Sequence, residues 1–287
     1  MPQPLKQIKN RIRSVENATK VTHAMEMVSV AKLNQIDKVL FALRPYEEAL
    51  ASMLERLRPA EGNGKDEGSI FFKARPHKKT LALCVVTSDN GLCGLYNYNV
   101  LRAVERFIEA QGQSQVNLIL VGKKGVNYFK AKTIPVLHQY VGLNGRYDPL
   151  VSDQIAAILM NLFSSRQADE VHIAYTFFRT GFVQDAVIER FLPLEPGGAS
   201  GGDQIFEPDR ASLTERVLAH YLVTKMRLVF LQAFTSEHAT RSLAMRSATR
   251  NGEELLDGLV LLRNKIRQSS ITQDIMEIIS SSEALKG

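Results

Sequence analysis

No proline occurs between Asp209 and the last residue of this chain, and the only glycines in those 79 residues are Gly252, Gly258 and Gly287. Nothing there forces the backbone out of an α-helix. Ser212, followed three residues later by Glu215 and then by Val217, Leu218, Tyr221 and Leu222, has the pattern of a capping box ahead of an apolar periodic run. It predicts a helix start near Leu213. A continuous helix over residues 213–285 would reach roughly 110 Å at about 1.5 Å per residue, longer than any one globular domain can cover. Such a helix must pack against another long helix.

Leu255, Leu259, Leu262 and Ile266 recur at coiled-coil spacing. Ile271, Ile275, Ile278, Ser282 and Leu285 resume it after a shift in phase, which reads as a stutter. The other end of the chain supplies a partner. Residues 5–44 contain neither proline nor glycine, and Leu5, Ile8, Ile12, Val15, Ala18, Val21, Met25, Val28, Ile36, Val39 and Leu43 fall three or four apart, with an interruption around Lys32. Pro45 is expected to end or kink this helix, with residues 46–57 helical again. The terminal helices bury their stripes by lying side by side, which leaves everything between them as a separate body.

That body follows a polar, glycine-containing linker at residues 59–65. Residues 80–87, 116–121, 171–178 and 185–192 have the length and apolar content of strands, and residues 98–109, 123–130 and 149–165 read as helices, the last with Asp148 as N-cap and Pro149 in its first turn. Alternation of strand and helix predicts an α/β domain with a parallel or mixed sheet. A glycine-rich loop, residues 197–202, precedes the last helix. The expected organisation is an N-terminal coiled-coil helix at 1–58, a linker at 59–78, a Rossmann-like α/β domain at 79–196, a loop at 197–210 and a C-terminal coiled-coil helix at 211–287.

Chemistry is harder to find. Residues 88–94, Ser-Asp-Asn-Gly-Leu-Cys-Gly, follow a strand where α/β folds place ligands, and allow either a phosphate cradle or a tight strand-to-helix turn. Asp89 reads equally as a helix cap or a base. Neither G-x-G-x-x-G nor G-x-x-x-x-G-K-[ST] occurs, including at Gly122-Lys123-Lys124-Gly125. The six histidines form no metal-binding pair, and His172, inside an apolar strand, reads as a hydrogen-bonded core residue. Cys84 and Cys93 fit structural thiols in a reducing compartment. No catalytic residue, metal or cofactor is expected.

The net charge of +6 is concentrated on the terminal helices, in Lys6, Lys9, Arg11, Arg13 and Lys20 at one end and in Arg241, Arg246, Arg250, Arg263, Lys265 and Arg267 at the other. An acidic partner or nucleic acid would answer that excess. A nucleic-acid binder would interleave aromatic side chains for stacking, and the chain has no tryptophan and few aromatics. No uninterrupted apolar run approaches 18 residues, and the N-terminus lacks the apolar core of a secretory signal, so a soluble cytoplasmic chain is expected.

Three stretches carry a family resemblance. Residues 11–28 (RIRSVENATKVTHAMEMV), 236–251 (SEHATRSLAMRSATRN) and 267–278 (RQSSITQDIMEI) resemble the terminal-helix signatures of the gamma subunit of F-type ATP synthases, and Asp89-Asn90-Gly91-Leu92-Cys93-Gly94 resembles its central-domain turn. The resemblance implies an antiparallel coiled coil of the two terminal helices with a Rossmann-like domain at its foot. It also implies a central stalk turning inside a hexamer of alpha and beta subunits, with the epsilon subunit and the c-ring as further partners. Membrane contact would come only through the complex, at the cytoplasmic face of a bacterial cell membrane. By motif position Arg241, Gln268 and Thr272 correspond to residues that engage beta-subunit loops, with Met25 beside them, and Ile271, Ile275, Ile278 and Leu285 form an apolar bearing tip.

The chain departs from the family pattern at several points. Asn90 and Arg250 stand where a basic and an acidic residue are usual, Arg263 and Ile266 replace the commoner Tyr and Ala, and Ser281 replaces Gly. These changes leave open a gamma-like subunit of a divergent sodium-translocating relative. A small-molecule-binding α/β protein is the remaining alternative.

Overall fold

A computed structural model of the chain describes residues 3–57, 70–75, 79–112, 114–179, 184–195 and 209–284. They form two compact units, one from residues 30–241 and one from the chain ends, 1–29 with 242–287. Helix α1 (Gln3–Leu57) and helix α5 (Arg210–Ala284) each contribute to both.

The larger unit is built on five strands: β1 (Thr80–Val86), β2 (Gln115–Val121), β3 (Val136–Tyr140), β4 (Glu170–Phe178) and β5 (Gln184–Leu192). They lie in the order β3-β2-β1-β4-β5, parallel except for β5, which pairs antiparallel with β4. Side chains alternate across the sheet as period-two geometry requires. Leu81, Leu83 and Val85 join Val100, Leu101 and Val104 of α2 (Tyr96–Ala110) and Phe129 of α3 (Lys123–Phe129). Ala82, Cys84 and Val86 pack with Ile155, Leu159 and Phe163 of α4 (Pro149–Ser164), Leu40 and Leu54 of α1, and Leu222, Met226 and Phe230 of α5. The result is a sheet buried on both faces, which explains the near-continuous apolar β1 and β2.

Several expectations need correction. β3 is a strand beyond the four expected: at the sheet edge, with Leu137, His138 and Gln139 exposed, its five residues carry no continuous apolar run. α1 runs through Pro45 without ending. Phe41, whose carbonyl loses its intrahelical donor to Pro45, is 79% exposed, so water can satisfy it. α5 starts at Arg210, earlier than expected. Its cap is Asp209, whose carboxylate accepts from the Ser212 backbone N–H and the Ser212 hydroxyl, both at 2.8 Å. Part of the expected 59–78 linker is packed structure. Residues Ile70–Phe72 form one 3-10 turn, and Arg75 donates to the carbonyls of Phe163 and Ala168 and stacks over the Phe163 ring. The polar segment 59–65 and the glycine-rich segment 197–202 lie outside the described residues.

α5 also contains a window long and apolar enough to cross a membrane by composition, against the expectation of none; two thirds of it is buried inside the fold. Leu222, Met226, Phe230, Leu231, Ala233 and Phe234 are enclosed, so hydropathy here marks a core helix.

The smaller unit is an antiparallel helix pair. As α1 ascends through Thr19, Thr22 and Glu26, their partners on α5 descend through Gly252, Thr249 and Arg246. The two threonine hydroxyls are 2.8 Å apart, and Arg246 Nε donates to Glu26 Oε1 at 2.8 Å. The seam does not follow the expected stripe. The phase set by Leu5, Ile8, Ile12 and Val15 continues into polar Thr19, Thr22, Glu26 and Ser29, while Val21 and Val28 are each 57% exposed. On α5 Leu259 and Ile266 are turned inward as expected, but Leu255 and Leu262 are exposed, and Thr249, Gly252 and Leu256 take the seam. A one-residue offset rotates a side chain by about 100°, enough to move it off a narrow two-helix seam.

Candidate functional site

In open α/β sheets ligands bind beyond the carboxyl ends of the strands where the strand order reverses. Here that point lies between β1 and β4. Thr87, just past β1, donates its hydroxyl to the Val121 carbonyl at 2.7 Å and accepts from the Gly125 N–H at 2.9 Å. A Cβ at Gly122, where φ is +91°, would sit 2.1 Å from the Thr87 carbonyl oxygen. Gly122 and Gly125 are therefore glycines for close packing on Thr87, not for cradling a phosphate.

Asp89 resolves as a cap. Its two carboxylate oxygens accept from the backbone N–H groups of Lys123, at the start of α3, and Asn144, in the loop after β3, at 2.9 and 2.7 Å. Ser88 is held by Asn97, which accepts from the Ser88 N–H at 3.0 Å. The 88–94 stretch is thus a structured turn whose polar groups are spent on the chain itself.

The space beyond the strand ends is filled by α5. The Ser236 hydroxyl donates to the Thr176 carbonyl of β4 at 3.2 Å. His238 Nε2 lies 2.8 Å from the Gly145 carbonyl, and a carbonyl only accepts, so that nitrogen carries the proton. Nδ1 is then the acceptor, 3.3 Å from Arg241 Nη1. Arg241 also donates to the carbonyls of Gly91 and Asn90 and pairs with Glu237 at 2.8 Å. Glu237 is fully buried, and its Oε2 has no hydrogen-bond partner among the described residues.

Burial dominates the electrostatics of this cluster. It pushes the Glu237 carboxyl up, against the pull of Arg241. It pushes His238 down from 6.5 to about 4, helped by the cations Arg241 and Lys32 and opposed by the hydrogen bond to Gly145. Burial alone raises the Cys84 thiol to about 12, as befits an inert structural cysteine. Cys93 is also buried and free, and accepts from the Asn97 side-chain amide at 3.2 Å. His172 sits 3.1 Å from Glu170 and packs on the Phe107 ring, a core histidine as read.

The residues carried over by motif are in different settings. Arg241 is buried in the larger unit with its guanidinium engaged inside the chain. Gln268 and Thr272 are exposed on α5 in the smaller unit, one turn apart, the Thr272 hydroxyl donating to the Gln268 carbonyl at 3.0 Å. Met25 is half-buried on α1, its carbonyl accepting from Ser29. Ile271, Ile275 and Ile278 are exposed, as is every residue from 271 to 284; Leu285 lies outside the described residues. No apolar periodicity points to Glu237 or His238. The available signal is two adjacent ionisable residues shortly after the apolar stretch 228–234, which only Gln232 interrupts.

A family model described as ATP synthase matches residues 4–285. The chain is 35% identical to the ATP synthase gamma chain of Geotalea uraniireducens and 38% identical to that of Flavobacterium psychrophilum, in each case over 99% of both chains. Its fold matches a chain in the cryo-EM structure of the Euglena gracilis mitochondrial ATP synthase OSCP/F1/c-ring, with a TM-score of 0.70 at 17% identity, covering 99% of this chain and 95% of that one. It also matches a chain in the Tetrahymena thermophila mitochondrial ATP synthase central stalk/c-ring, with a TM-score of 0.61 at 21% identity over 79% and 99% of the two chains.

Proposed function

The chain belongs to the ATP synthase gamma chain family, and on that premise we propose that it is the central-stalk rotor subunit of an F-type ATP synthase, peripheral to the cytoplasmic face of a bacterial membrane. It couples rotation of the c-ring to conformational change in the beta subunits of an alpha-beta hexamer, with epsilon as a further partner. The chain itself carries out no ATP chemistry.

The observation that carries this reading is the pairing of the chain's two ends through Thr22–Thr249 and Glu26–Arg246, with residues 271–284 of α5 left exposed beyond it. A shaft changes a partner's state only by contacting its alternative conformations differently. That demands a stiff element, which a two-helix seam provides, and contact groups on its outside. In this reading the exposed Gln268 and Thr272 engage beta-subunit loops, with Met25 beside them on α1. Arg241 acts on the beta subunits through the turn at Asn90 and Gly91 that it holds. Ile271, Ile275 and Ile278 form the non-directional apolar surface that a bearing needs. The non-catalytic reading is supported by the crevice beyond β1 and β4, which α5 already fills.

Co-expression with alpha and beta subunits tests the reading. The expected result is a complex with one copy of this chain per three beta subunits, whose ATP turnover exceeds that of alpha and beta alone. A chain that fails to join them, or that hydrolyses ATP by itself, refutes it.

A further inference from the structure

The larger unit holds a cavity beside the His238 cluster, with which it shares Gly145. It has a volume of about 540 Å³ and is lined by Lys32, Gln35, Ile36 and Val39 of α1, Gly145, Arg146 and Tyr147 after β3, and Leu231 of α5. We propose that this cavity is a binding site for a phosphate-bearing anion, either free phosphate or the phosphates of a nucleotide.

Charge is the first reason. Lys32 and Arg146 both line the cavity, and among the described residues no carboxylate does. Lys32 Nζ donates to the Asn144 carbonyl at 3.0 Å, and neither cation has an ion-pair partner among the described residues. Of the nearby acids, Asp89 is held by two backbone N–H groups, and Glu237 pairs with Arg241 through one oxygen. The Lys32 ammonium is pushed down first by burial and then by Arg146, with Glu237 pulling the other way and Arg241 adding to the lowering. An anion seated between the two head groups relieves that repulsion.

Shape and chemistry narrow the class. Cavities of roughly 300–1,000 Å³ with mainly apolar walls and a few convergent polar groups are typical of small-molecule sites. Here Ile36, Val39, Leu231 and the Tyr147 ring give the cavity one apolar side, while Lys32, Arg146 and Gln35, whose amide can donate or accept, make the rest polar. A guanidinium fork with an ammonium point charge is the pairing that phosphate oxygens favour.

Titration of the full-length chain at low ionic strength, followed by calorimetry and phosphorus NMR, provides the test, with inorganic phosphate in one arm and ADP in the other. Saturable binding is expected in at least one arm, weakened tenfold or more by Arg146→Glu and also by Lys32→Gln. Arg216→Glu, an exposed site on α5 with the same charge change, should leave it unaltered. ADP binding tenfold tighter than phosphate identifies the nucleotide as the source; equal or weaker ADP binding identifies free phosphate. Circular dichroism of each variant verifies that the helices persist. The proposal is overturned if neither arm saturates, or if Arg216→Glu weakens binding as much as Arg146→Glu.

Discussion

Acid should loosen this chain through one histidine. His238 is almost fully buried, with Nε2–H on the Gly145 carbonyl and Nδ1 facing the Arg241 guanidinium. A second proton would have to be placed on Nδ1, directly against that cation and within reach of Lys32. The folded-state value is therefore lowered from 6.5 to about 4. A lowered base contributes stability that is present above the unfolded value and is lost as pH falls from there toward the folded one, because only the unfolded chain binds the proton in that window. Going from pH 7 to pH 5 should cost about 2 kcal/mol, and the whole shift is worth about 3 kcal/mol at lower pH. Glu237 works the other way: its raised value favours the folded state as pH falls toward the usual carboxylate range, which opposes the effect of His238 there. His238→Gln isolates the histidine, since an amide can still donate to Gly145 and accept from Arg241. Urea unfolding at several pH values should show the variant losing about 2 kcal/mol less than wild type between pH 7 and pH 5. Equal losses in the two proteins, or an NMR titration placing folded His238 near 6.5, would refute the reasoning.

Four further outcomes are expected. Arg241→Ala leaves Glu237 and the carbonyls of Asn90 and Gly91 buried without their donor, and should lower unfolding stability by about 3–5 kcal/mol in urea titrations. Thr22→Val orphans the Thr249 hydroxyl at a cost of about 1 kcal/mol, and adding Thr249→Val should return most of it in a double-mutant cycle. Gly252→Ala puts a Cβ 2.4 Å from Thr19 Oγ1 and should destabilise by about 1–3 kcal/mol by thermal unfolding. Combined with Thr19→Ala it should instead stabilise by about 1 kcal/mol through helix propensity. Gln268→Ala and Thr272→Ala, both at exposed positions, should leave the stability of the isolated chain within about 0.5 kcal/mol while lowering ATP turnover of the assembled complex; unchanged turnover would remove them from the contact surface.

The strands β1, β2 and β4 were legible because burial on both sheet faces writes itself into the sequence as apolar runs, and α2, α3 and α4 because they fall between those runs. Asp148 was legible as a cap for a local reason: its carboxylate accepts from the Leu150 N–H two residues on. Seam phase was not. Apolar spacing nominated Val21 and Val28, but the seam takes Thr22 and Ser29, since a directional bond between hydroxyls or a Glu26–Arg246 pair holds two helices as well as an apolar contact does. The filled crevice was equally hidden. Whether residues 88–94 face a ligand or their own chain depends on Ser236, His238 and Arg241, some 150 positions away in sequence, and local pattern carries no information about contacts of that range.

The cover of the sheet arrives late. β1 to β5 lie in the middle of the chain, whereas Leu222, Met226 and Phe230, which complete the core on one face, and Ser236 to Arg241, which close the strand ends, come from its final quarter. During synthesis the strands leave the ribosome with one apolar face covered only in part, by α1 and α4, until that quarter has been made. Nascent chains halted before Leu218 should therefore bind chaperones and precipitate, and release should coincide with emergence of the segment that caps them.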